Sequence, residues 1–216
     1  MTERAIPPKL VMPDIGGMMD DIFRVATIRR RGRGEAPLSD ATCTPKWLAD
    51  RLPIVDVDPA SNFRSHIRAR WSFSLEKFLD GLKLPWRGSV FLNHPYSKPM
   101  PWIVKLVEEL TSGRCTDAIV LSKMDSSPRW WDLLTQAVAR DGVYYYPDLW
   151  LFKKRIQFDE HPDLIAKRLE RVRAERASGK KVSEKSSNNF NNAIVHHRFG
   201  GPLLQLEDVA TLWQRP

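Results

Sequence analysis

Gly88-Ser-Val-Phe-Leu-Asn93-His94-Pro95-Tyr96-Ser97 is a short apolar run that stops abruptly in asparagine, histidine, proline and tyrosine. Apolar runs of this length, bounded by polar residues, form buried strands of sheets that are covered on both faces. The residues that follow then make a rigid corner at the strand's C-terminal end. There, an amide and main-chain carbonyls can hydrogen-bond the edge of a nucleic-acid base while an aromatic ring stacks on its face. The same residues also suit an ordinary Asn-x-Pro turn with Tyr96 packed on the core. The two readings are separated by the rest of the chain.

Two further apolar segments end in the same manner. Ile54-Val55-Asp56-Val57-Asp58 is closed by Pro59-Ala60-Ser61-Asn62, and Ala118-Ile119-Val120-Leu121 runs into Ser122. Between and around them lie helical patterns. Thr44-Pro45 opens one over Lys46–Leu52 with a hydroxyl cap and a proline at the first turn. Trp102, Val104, Leu106, Val107 and Leu110 share one side of a helix over residues 101–111, and Trp131, Leu134 and Val138 one over Pro128–Arg140. Asp141-Gly142 turns the chain into Val143–Tyr146. Trp150–Phe158 reads as a more polar strand, His161–Ala177 as a charged helix, Lys180–Asn189 as a polar linker and Asn192–His196 as a last strand. The tail carries a short helix near Leu206–Trp213, while residues 63–87 resist assignment. Strands alternating with helices predict an α/β fold, a three-layer doubly wound sheet, with ligands at the C-terminal ends of its strands. Asp58, Asn93 and Ser122 each stand at such an end.

Residues 1–40 read as a separate, flexible basic arm, with four prolines and the run Arg29-Arg30-Arg31-Gly32-Arg33, so the folded domain is expected to span 41–216. The 216 residues suffice for one sizeable core, and a formal charge of +8 favours a polyanionic partner. Eight tryptophans, several beside lysine or arginine, suit both core packing and stacking. No apolar run approaches membrane-span length, so no membrane partner is expected, and the two widely spaced cysteines point to a reducing, cytoplasmic interior. Cys43 and Cys115 share no metal-ligand spacing and the histidines are scattered, so no bound metal is expected. A phosphoryl-transfer enzyme would need a carboxylate cluster, for which only Asp56, Asp58 and Asp125 qualify.

Over residues 43–199 the chain resembles the phage-encoded Dam-like DNA adenine-N6 methyltransferases. Thr44-Pro45-x-Trp47 resembles the family's opening element and Asp56-Val57-Asp58-Pro59-Ala60-Ser61 its first cofactor-strand motif. Trp86-Arg87-Gly88 followed by Asn93-His94-Pro95-Tyr96 resembles its Trp-x-Gly and Asn-Pro-Pro-Tyr pair. Trp130-Trp131, Arg155-Ile156-x-Phe158 and Asn189-Phe190 to His196 match later features. His94 departs from the family, which usually has proline there, and no glycine-rich turn follows Asp58.

The resemblance implies a reduced version of the Rossmann-like S-adenosylmethionine-dependent methyltransferase fold, acting on adenine in double-stranded DNA in the host cytoplasm. It implies a catalytic set of Asn93, His94, Pro95 and Tyr96. Thr44, Pro45, Asp58, Pro59 and Ala60 would lie at the cofactor, with the Asp58 and Asn93 loops in one cleft. The alternative is a catalytically inactive phage DNA-binding or structural protein that retains the fold.

Overall fold

The computed structural model describes residues 42–77, 79–179 and 190–213. The basic arm and the linker at 180–189 lie outside them. In chain order the elements are α1 (Lys46–Ala49), β1 (Val55–Asp58), β2 (Ala69–Ser72), β3 (Gly88–Leu92), α2 (Met100–Thr111), β4 (Cys115–Lys123) and α3 (Arg129–Thr135). There follow β5 (Val138–Arg140), β6 (Val143–Tyr145), β7 (Asp148–Phe152), α4 (Pro162–Ala177), β8 (Asn192–Arg198) and β9 (Ala210–Trp213).

Seven strands form one mixed sheet in the order β2-β1-β3-β4-β8-β7-β9. The β2, β1, β3 and β4 strands are parallel neighbours, while β8, β7 and β9 join antiparallel. From β1 the chain moves outward to β2, and from β3 it moves the opposite way to β4. The reversal lies between β1 and β3, and a crevice beyond the C-terminal ends of such a strand pair is where open α/β sheets bind ligands. Asp58 ends β1 and Asn93 follows β3.

Alternation along the central strands divides the core in two. Val90 and Leu92, Ala118 and Val120, and Ala193 and Val195 face one way, against Ile103, Leu106 and Leu110 of α2 and Trp131 and Leu134 of α3. Phe91, Ile119, Leu121 and Ile194 face the other, where Leu48, Leu52, Ile156, Leu204 and Leu206 cover them. The first layer is helical. The second consists of the four-residue α1 and irregular chain, so the helices expected on both faces are largely confined to one.

Three sequence expectations are corrected. The helix expected over Pro128–Arg140 ends at Thr135, because Val138 pairs with Tyr145 in a hairpin. Its turn, Asp141-Gly142, has positive φ at both residues (51° and 77°), the geometry that fits a two-residue loop to strand twist. The segment near Leu206–Trp213 ends in strand β9, paired with β7, because Ala210 and Leu212 pack on the sheet's second core. Within Trp150–Phe158, only the chain up to Phe152 is strand, and the strand begins earlier, at Asp148. Residues 63–87 supply the edge strand β2, and among the described residues the connections before and after it carry one 3-10 turn and no α-helix.

The Trp-x-Gly element is a packing device. Trp86 is fully buried, stacks on Trp102 and donates from Nε1 to the Gly81 carbonyl at 2.7 Å. Gly88 has φ +80°, and a Cβ there would fall 2.3 Å from the Asp56 carboxylate, which accepts from the Ser89 amide and hydroxyl. In the neighbouring layer, burial lowers the His197 pKa to about 4, and its Nε2–H donates to the Leu134 carbonyl, tying β8 to α3. No helix among the described residues is long and apolar enough to cross a membrane.

Candidate active site

Asn93 leaves β3 beside the segment that leads into α1, and its Nδ2 donates to Thr44 Oγ1 at 3.2 Å. The Thr44 hydroxyl thus accepts from Asn93, and α1 has no side-chain cap at its start. An amide whose nitrogen is engaged in this way presents its Oδ1 as the remaining acceptor. The adjacent Cys43 Sγ donates to Asn62 Oδ1, which also accepts from the Arg64 amide. The turn after β1 is thus linked to the Thr44 segment, and through it to Asn93.

Asp58 lies at the base of that turn, 3 % exposed. Burial raises its pKa from 3.8 to about 6, against the lowering effect of bonds from Ser65, Ser61 and the Ala60 amide. Desolvation outweighs the donors the fold supplies. An added hydroxyl or ammonium donor would stabilise the carboxylate. Pro45 and Pro59 are buried, and Ala60 is half-buried.

His94 and Tyr96 line a cleft of about 670 Å³ that opens between the ends of β3 and β4. Its walls include His94, Tyr96, Lys98, Pro101, Asp125 and Trp130. Asn93, Pro95, Thr44 and Asp58 do not line this cleft. The Tyr96 ring makes edge contacts with His94, Phe158 and Phe190 at centroid distances of 5.4, 5.9 and 5.5 Å. Its hydroxyl accepts from Asn192 Nδ2, and burial holds its pKa well above the usual phenol range. Asn192 also donates to the Ser122 carbonyl, and the His94 Nε2 meets the Ser122 hydroxyl at 3.2 Å. One polar network therefore joins the β3 loop, the end of β4 and the start of β8.

Asn192 and Ser122 are the residues that sequence reasoning left without a role. Their signal is weak: each is a single polar residue at the end of an apolar strand, and only the β4–β8 pairing brings them together. Phe158, Phe190 and Trp130 fell within matched segments, but their contact with the Tyr96 and His94 rings requires the fold. The carboxylates do not converge. Asp56 turns to Ser89 and to Arg70 (3.3 Å), Asp58 to Ser65, and Asp125 to Lys123 (2.8 Å). Among the described residues, no three His, Cys, Asp or Glu side chains gather to hold a metal ion.

On α4, Arg168 pairs with Glu160 before the helix, and the intrahelical Arg171–Glu175 pair spans 3.9 Å.

The model of the DNA N-6-adenine-methyltransferase (Dam) family matches residues 69–204. That span takes in Asn93 to Tyr96, Trp86, Gly88 and Asn192, and begins after Thr44 and Asp58. No curated protein and no solved structure matches the chain.

Proposed function

The chain belongs to the Dam family of DNA N-6-adenine methyltransferases, and from that premise we propose that it methylates the N6 amine of adenine in double-stranded DNA, with S-adenosylmethionine as donor. The observation that carries the reading is the Thr44-anchored Asn93, with its amide oxygen as acceptor at the point where the sheet reverses. When bound, S-adenosylmethionine supplies an electrophilic methylsulfonium.

The chain's own residues must make a poor nucleophile competent. The adenine amine is weakly nucleophilic because its lone pair delocalises into the ring. Asn93 Oδ1 and the His94 main-chain carbonyl accept its two N–H bonds, which orients the nitrogen and draws electron density back onto it. Thr44 fixes the amide, so it acts on Asn93. Tyr96 gives the extruded base a stacking face, and its three aromatic neighbours and Asn192 hold the ring in place. Lys98 at the cleft suits phosphate contact. Asp58 would hold a cofactor hydroxyl or amine. The sheet and its switch point fit a reduced Rossmann-like methyltransferase.

A second reading, a DNA-binding protein that keeps the fold without the reaction, is favoured by His94 standing where the family usually has proline. Calorimetry with S-adenosylmethionine and with its demethylated product separates the two. Saturable binding of either supports the enzyme. DNA binding in a folded protein that takes up neither supports the rival.

A further inference from the structure

We infer that the His94 side chain is a positioning residue, a brace that holds the catalytic loop through Ser122 of β4 where a proline ring would otherwise fix the backbone. The catalytic consequence rests on the methyltransferase reading; the brace itself does not. A proline at this position would lock φ near −65° and hold the residue 94 carbonyl in place. Histidine lacks that constraint, although Pro95 confines it to extended conformations.

The imidazole is 2 % exposed, too buried for a surface loop residue without a task. Its Nδ1 lies 3.2 Å from the Pro95 carbonyl, which can only accept, so Nδ1 carries the proton. On the other side of the ring, Nε2 lies 3.2 Å from the fully buried Ser122 hydroxyl, whose one proton also has the Lys123 carbonyl within reach at 3.3 Å. The Lys98 amide approaches the same Pro95 carbonyl at 3.4 Å, closing the turn. Edge contacts with Tyr96 and with Trp130 (5.9 Å) complete the clamp. The ring thereby ties the β3 loop to β4 and α3 and abuts the aromatic proposed to stack on the base.

The test is a cycle over positions 94 and 122 in the full chain. It reads backbone hydrogen exchange at Tyr96, Ser97 and Lys98, with β8 amides as the folded control. His94→Ala is expected to speed exchange in the loop by about tenfold, and His94→Pro to recover most of that protection. Ser122→Ala is expected to speed it about fivefold in the parent and to have no effect in the His94→Pro background. Any other pattern overturns the brace, whether Ser122→Ala acts equally in both backgrounds, in neither, or only beside proline. Methyl transfer by the same variants is read separately. His94→Ala should lower kcat by about 10- to 100-fold while the KM for DNA moves little, and His94→Pro should restore kcat. A parent that shows the exchange pattern yet transfers no methyl group defeats the catalytic reading and leaves the brace standing.

Discussion

Replacing Asp58 with asparagine should change how stability depends on pH, in a direction that its burial fixes. The Asp58 pKa is raised from 3.8 to about 6, chiefly by desolvation. Its folded-state pKa thus lies above its unfolded value. Between about pH 4 and 6 the native state binds the proton more tightly, so stability falls as pH rises through that window and stays lower above it. At about 1.4 kcal/mol per pH unit, the shift amounts to about 3 kcal/mol. The asparagine side chain would be nearly isosteric, would retain an acceptor for Ser65 and would carry no titration. The assay is urea unfolding of both proteins from about pH 4 to 8, taking the difference so that all other titrations cancel. The variant should gain on the parent by up to about 3 kcal/mol between pH 4 and 7, or about 6–12 °C in Tm. A difference that is flat with pH, or that grows in the parent's favour, would refute the argument that the fold undercompensates this carboxylate. Saturating cofactor that donates to Asp58 should shrink the gap by stabilising its charged form.

Tyr96→Phe keeps the ring and loses only the hydroxyl that accepts from Asn192, so it should cost about 1 kcal/mol in unfolding and little in rate. Tyr96→Ala, measured in steady-state methyl transfer, should lower kcat/KM for DNA by about 10- to 100-fold because the base has no ring to stack on. Thr44→Val removes the acceptor that orients Asn93 and should lower kcat by about 10- to 100-fold. An unchanged kcat would show that the amide needs no anchor. Deleting residues 1–34 takes away the run Arg29-Arg30-Arg31-Gly32-Arg33. It should weaken DNA binding and flatten its salt dependence by about 0.9 in log–log slope for each phosphate no longer neutralised; an unaltered slope would make the arm a bystander.

The central sheet was legible because β3, β4 and β8 are buried on both faces and so read as continuous apolar runs. The edges were not. Ala69-Arg-Trp-Ser is only partly buried as β2, and β9 alternates too briefly to be told from a helix turn. The hairpin after α3 was half visible, since Asp141-Gly142 announces a turn whereas Val138 fits a helix and a strand equally well. In the site, Asn93 stood out because a polar residue ending a buried strand is conspicuous. The Thr44 hydroxyl misled in one respect: next to proline it has the form of a helix cap, and only the distance to Asn93 shows its actual partner. Asn192 and Ser122 are distant in sequence, so their joint support of Tyr96 and His94 depends on a pairing no local pattern encodes.

The most direct test of the central claim is nucleoside analysis of unmodified double-stranded DNA after incubation with the protein and S-adenosylmethionine. The account predicts N6-methyladenine as the product, formed by the parent and absent with Asn93→Ala. Absence of any methylated base with well-folded parent protein, methylation on cytosine alone, or undiminished N6-methyladenine from Asn93→Ala would contradict it.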